Sequence, residues 1–158
     1  MEQLFKQTHE GDVIWNSGNA AFRAICEIDS WRVTVAVQCQ IEHFELDCFA
    51  FLDTGAEWSM IGGDTAALLE AHLGPPIRSL TMSTRLGRVF GELHRVSITL
   101  LADPGQGSDL TIESTSFVSE EWEGPVVLGY RGFLERMRFA LDPGIIPGEQ
   151  IFYFGLAE

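Results

Sequence analysis

Residues 32 to 52 carry the clearest hydrophobic pattern in the chain. From Arg32 to Gln40 apolar and polar positions alternate, with Val33, Val35 and Val37 on one face. After a short polar break, Phe44 to Leu52 follows, so the two runs predict adjacent strands of a hairpin. In the second run Phe44, Leu46, Cys48, Ala50 and Leu52 share one face, while Phe49 and Phe51 share the other. A strand apolar on both faces is expected to be covered on both sides. It leads directly into Asp53, so a carboxylate is expected to emerge from the interior, where packing alone would not place one.

Further along, Met60-Ile61-Gly62-Gly63 ends a strand. Asp64 is positioned to cap a short helix reaching Leu73, stopped by Gly74, Pro75 and Pro76. Ser79 to Thr84 and Arg88 to Leu101 predict a second hairpin around Arg85-Leu86-Gly87. A polar turn over Asp103 to Asp109 precedes a strand from Leu110 to Val118, with Ile112 and Phe117 inward by parity or through a local bulge. Gly129 to Met137 suits a short helix, Arg138 to Leu141 a strand, Asp142 to Gly148 a turn, and Ile151 to Phe154 a final strand. That last strand reads as an apolar edge, a liability unless another strand covers it, and so as a candidate interface with a second copy of the chain. Many short strands with one or two short helices make a mainly β fold.

Two short runs narrow the fold class. Phe51-Leu52-Asp53-Thr54-Gly55-Ala56 resembles the Asp-Thr-Gly-Ala signature of the aspartic peptidases, specifically the single-lobed, retropepsin-like (retroviral-type) family. Some seventy residues later, Pro125-Val126-Val127-Leu128-Gly129-Tyr130-Arg131-Gly132-Phe133-Leu134 resembles the apolar-apolar-Gly segment of the same family. The likeness extends over roughly residues 31 to 154, with general pattern only between the two runs. It implies a closed acid-protease β-barrel over 31–158, behind an N-terminal extension, 1–30, of unknown role.

The resemblance also implies roles for particular residues. Asp53 would carry the chemistry, supported by Thr54 and Gly55, and each subunit would close a flap over a peptide substrate. Leu80 to Phe90 matches that flap in position, with Arg85, Leu86 and Gly87 at its tip, and Ala56 and Glu57 would join them in binding substrate. Glu57 and Arg131 would form an ion pair bracing a dimer, against the simpler reading of an ordinary exposed pair. Peptide hydrolysis by acids needs two carboxylates sharing one proton. The chain offers one signature: Asp103-Pro104-Gly105 and Asp142-Pro143-Gly144 place proline where the hydroxyl should be. A two-fold homodimer with Asp53 from each copy would supply the pair. The alternative function is a catalytically inactive dimerisation or peptide-binding module that keeps the same cleft.

Composition limits the remaining possibilities. With 158 residues and 46% apolar content, the chain can bury one substantial core as a single domain. Asp and Glu number 23 against 10 Lys and Arg, a formal charge of −13 that repels phosphate backbones and anionic surfaces. No nucleic-acid or membrane partner is expected. Cys26, Cys39 and Cys48 are odd in number and widely spaced, and Cys39, His43 and Cys48 fit no established zinc spacing. Buried free thiols, no metal, no cofactor and a reducing, cytoplasmic location are the expectations. Met1 to Gly11 carries no apolar leader core.

Overall fold

The structure, a computed structural model, describes residues 17–26, 33–42, 47–146 and 148–157. Gly18–Ala21 forms β1 and Arg23–Cys26 forms β2, so part of the segment set apart as an extension supplies two strands. The predicted hairpin is β3 (Val33–Ile41) and β4 (Asp47–Leu52), antiparallel from Val35 opposite Leu52 to Gln40 opposite Asp47. Arg32, His43, Phe44 and Leu46 lie outside the described residues. Then come β5 (Ser59–Gly62), α1 (Gly63–Glu70), β6 (Arg78–Thr84), β7 (Gly87–Leu100), β8 (Leu110–Ser119) and β9 (Val126–Leu128). A single 3-10 turn (Leu134–Arg136) precedes β10 (Met137–Asp142) and β11 (Ile151–Leu156).

The fold is mainly β, in two sheets. The larger has the order β2-β3-β4-β9-β5-β8-β7-β6, and β3 pairs a second time, with β7 over Cys39 to Ile41, so strands partly ring the core. The ring is thin at one point, where β5 meets β9 through Met60 and Val127 alone. The smaller sheet has the order β1-β11-β10.

The strands β7 and β8 build the interior through both of their faces. Their register is unbroken from Glu92 opposite Val118 to Leu100 opposite Leu110, so no bulge is needed to turn Ile112 and Phe117 inward. Ile112 has even parity and joins the main core with Val96, Ile98, Leu100, Leu110 and Val118. Phe117 has odd parity and joins a second cluster with Met60, Val89, Leu93, Trp122 and Val127. Successive strand residues point to opposite faces, so one pair of strands serves both clusters.

Four sequence expectations change. Phe49 is 43% exposed, so β4 is not fully covered on its second face; the Arg23 guanidinium lies 4.3 Å from the centre of its ring instead. The helix α1 ends at Glu70, before Leu73, and begins after Gly62 with no side-chain cap, so Asp64 sits in its first turn without capping it. No regular helix spans Gly129 to Met137. Gly132 is in the left-handed region (φ 78°) and donates its N–H to Glu135 at 2.6 Å, which leaves room for one 3-10 turn only.

The fourth change concerns the last strand. β11 is not an edge: it lies between β1 and β10, and Phe152 and Phe154 are fully buried with their ring centres 5.7 Å apart. Its apolar residues fill this chain's own core, so β11 itself is not a bare strand open to a second copy. Truncation before Ile151 is therefore expected to abolish cooperative unfolding of the whole chain, and Phe154→Ala to cost about 3–5 kcal/mol in a urea titration. A truncated chain that still melted cooperatively would contradict this placement.

Candidate active site

Asp53 is positioned from both sides of its strand. β4 runs parallel to β9, with Ala50 opposite Val126, Phe51 opposite Val127 and Leu52 opposite Leu128. The ladder continues one step past the strand, where the Asp53 N–H donates to the Leu128 carbonyl at 3.1 Å. There the chain turns: Ala56 N–H donates to the Asp53 carbonyl at 3.1 Å, and Gly55 N–H donates to Asp53 Oδ1 at 2.9 Å. The side-chain bond is an Asx-type turn, which orients one carboxylate oxygen. Asp53, Thr54 and Gly55 are all exposed. The result is an oriented carboxylate open to solvent at the end of a parallel strand pair. A Cβ on Gly55 would stand 3.2 Å from Asp53 Oδ1, so even alanine presses on that oxygen.

The following residues are stitched to the second run. Tyr130 N–H donates to the Ala56 carbonyl at 2.9 Å, Arg131 N–H to the Glu57 carbonyl at 2.8 Å, and Gly129 N–H to Ser59 Oγ at 3.0 Å. Gly129 has a steric requirement. A Cβ there would lie 2.3 Å from the Trp58 carbonyl carbon and oxygen and 2.7 Å from Ser59 N, all backbone atoms that cannot swing aside. The two runs thus meet at van der Waals limits. Ser59, fully buried, and Leu128 and Gly129 are structural members of the site that the sequence left without roles. The pairing of the two runs was the only available hint.

Glu57 and Arg131 form an ion pair at 2.9 Å within one chain, with both side chains more than half exposed. Such pairs contribute about 0–1 kcal/mol. The same guanidinium lies 5.3 Å from the Trp58 ring centre. Trp58 Nε1 is the one buried side-chain polar atom without a partner among the described residues. An unpaired buried donor costs about 1–3 kcal/mol, so Trp58 occupies this loop against its own desolvation.

The second group of expected site residues lies on the β6–β7 hairpin. Thr84 opposite Gly87 closes it, leaving Arg85 and Leu86 at the tip, with Leu86 69% exposed. The tip is braced internally: Thr84 Oγ1 donates to the Gly87 carbonyl at 2.9 Å and accepts from Leu86 N–H at 3.1 Å, and Gly87 takes φ 122°. Lower down, Leu80 and Met82 pack against the second cluster, as do Ala56 and Trp58 of the Asp53 loop. One apolar floor therefore joins the body of the hairpin to the carboxylate loop. The bonds of Arg85, Leu86 and Gly87 stay within the hairpin.

No His, Cys, Asp or Glu cluster among the described residues could hold a metal ion, and no described helix is long and apolar enough to cross a membrane.

The glycine contacts make a clean comparison. Gly129→Ala is expected to destabilise the chain by about 3 kcal/mol in denaturant titration, by forcing the two backbones apart. Gly74→Ala, where nothing lies within 4 Å of the added carbon, is expected to change stability by under about 1 kcal/mol. Equal effects would refute the close approach at Gly129. In comparisons with known proteins, no family model matches the chain and no curated protein sequence matches it.

Proposed function

We propose that the chain is an aspartic endopeptidase of the retropepsin-like type, acting as a two-fold homodimer. The observation that carries this reading is Asp53: an exposed carboxylate at the end of a strand held by its parallel neighbour, with one oxygen fixed by the Gly55 N–H at 2.9 Å. The partly ringed sheet is taken as the closed barrel of that fold. Because a single chain carries one Asp-Thr-Gly, the axis would pass beside Asp53 so that two copies face each other. In this reading the contact between copies lies on the face that bears this loop.

In the assembled site a water lies between the two carboxylates, which share one proton. The ionised Asp53 takes a proton from the water as it attacks the scissile carbonyl carbon, and the protonated Asp53 gives its proton to the carbonyl oxygen. Collapse of the tetrahedral intermediate returns that proton from a hydroxyl and delivers the other to the departing amine. Gly55 keeps the carboxylate oriented, and Thr54 sits between them in the same turn. The hairpin tip at Arg85 to Gly87 would cover an extended peptide, with Ala56 and Glu57 along its path. Free thiols at Cys39 and Cys48 suit a reducing compartment such as the cytoplasm.

Wild-type protein and Asp53→Asn, offered a peptide library, test the reading. The amide cannot act as base, so cleavage is expected to fall by several orders of magnitude in kcat with little change in circular dichroism or Tm. Sedimentation of the active wild type is expected to give a dimer. Asp53→Asn retaining more than about a tenth of wild-type turnover would move the chemistry elsewhere. A dimeric wild type that binds peptides without cutting any would favour the inactive binding module.

A further inference from the structure

Cys39 and Cys48 stand directly opposite one another on β3 and β4, with their sulfurs in hydrogen-bonding contact at 3.5 Å. Cys39 is fully buried in the main core, and Cys48 is half-buried beside it. The contact makes the two thiols unequal. Its hydrogen bond to Cys48, and then its burial, push the Cys39 thiol far above the ordinary range. The same hydrogen bond to Cys39 pulls the Cys48 thiol down, against partial burial and the charge of Asp47. Cys48, half-buried where Cys39 is fully buried, is the sulfur that an outside reagent reaches first, with Cys39 directly behind it.

The backbone already meets the demands of a bond between them. Residues directly opposed on antiparallel strands have Cα atoms about 4.5–5.5 Å apart, inside the range of about 4.4–6.8 Å that disulfides bridge. The register is intact on either side, from Val35 opposite Leu52 to Gln40 opposite Asp47. Gln38 and Gln40 also donate to the two Asp47 oxygens at 2.7 and 2.8 Å, which pins the start of β4 beside Cys48. To form the bond the sulfurs would close from 3.5 Å to about 2.05 Å.

We propose that Cys39 and Cys48 form a dithiol redox site that glutathione disulfide, or a small disulfide like it, converts to a cross-strand disulfide. The Cys48 thiolate attacks one sulfur of glutathione disulfide; the bond between the two glutathione sulfurs breaks, and the first glutathione leaves and takes up a proton. Cys39 then attacks Cys48 Sγ in the mixed disulfide, its proton passing to the second glutathione as that departs. The protein loses two electrons and two protons, and glutathione disulfide gains both. The cross-link would fasten β3 to β4 where β3 also pairs with β7, at Cys39 opposite Leu100. It rests on geometry separate from Asp53 and holds whether or not the chain cuts peptides.

The test is incubation of the full chain in glutathione buffers of varied reduced-to-oxidised ratio, with acid quenching, intact-mass measurement and peptide mapping. Wild type is expected to lose two hydrogens and yield one linked Cys39–Cys48 peptide pair, reversed by excess reduced glutathione. Cys39→Ser is expected to accumulate glutathione on Cys48, with no thiol behind it to release the adduct. In Cys48→Ser, Cys39 is expected to stay unmodified while the chain remains folded. Should either variant fail to fold, alkylation of wild type decides: Cys48 is expected to react at least about tenfold faster than Cys39. A wild type that stays reduced, retains glutathione on Cys48, links to Cys26 or alkylates the two sites at equal rates would overturn the proposal.

Discussion

The close approach of Gly129 to the Trp58–Ser59 backbone is the constraint on which the candidate site depends. With no Cβ at 129, the chain leaving β9 lies against the chain entering β5, and Ser59 Oγ receives the Gly129 N–H. From that contact the parallel β4–β9 ladder reaches one residue beyond Leu52 and takes Asp53 N–H into its last bond. Asp53 therefore inherits its position from the β4–β9 ladder, although its own carboxylate is exposed. The loop itself adds only short-range bonds, the Gly55 N–H to Oδ1 among them. A catalytic group needs this combination of rigid support and open access.

The second cluster extends the same support to the hairpin. Met60 and Val127, the single pair joining β5 to β9, are both members of that cluster, and so is Val89 of β7. Side chains from the carboxylate loop and from the hairpin thus rest on one apolar floor. β7 makes this possible by being long: its first half pairs with β6, its last residues pair with β3, and β8 runs beside its second half. A fourteen-residue strand that changes neighbours connects the hairpin to the ring. Its base is further anchored where Phe90 N–H donates to Glu121 at 3.0 Å and the Phe90 carbonyl accepts from Ser119 Oγ at 2.6 Å. These contacts tie the hairpin to the body of the fold at Val89 and Phe90, below the tip at Arg85 and Leu86.

Period-two alternation made most strands legible in the sequence, because one face of each meets a core. The boundaries of β6, β7 and β8 follow closely from the apolar positions and from the turn at Arg85 and Leu86. Elements set by tertiary contact were not legible. The segment after Gly129 has helix-forming composition, but the left-handed Gly132 and its bond to Glu135 interrupt it. The apolar alternation of Ile151 to Phe154 is equally compatible with a sticky edge and a central strand; the choice depends on β1, whose short run Gly-Asn-Ala-Ala carries almost no strand signal. Phe49 misled for the related reason that a cation over its ring replaces burial.

Within the site, the residues of the two motifs could be named from sequence, whereas the contacts between them could not. Glycines at 55 and 129 have different physical reasons, which composition cannot separate: one keeps clear of a carboxylate oxygen, the other of a peptide backbone. The cysteines follow the same logic. Spacing alone offers only two thiols nine residues apart, and the strand register turns that spacing into opposed sulfurs. In this fold the candidate groups are assembled where residues distant or unremarkable in sequence are forced into register, and the ladders joining β3, β4 and β9 do that for both the carboxylate and the thiol pair. Perturbing that register would therefore disturb both sites together, whereas changes at the hairpin tip, whose bonds are its own, would leave the thiols as they are.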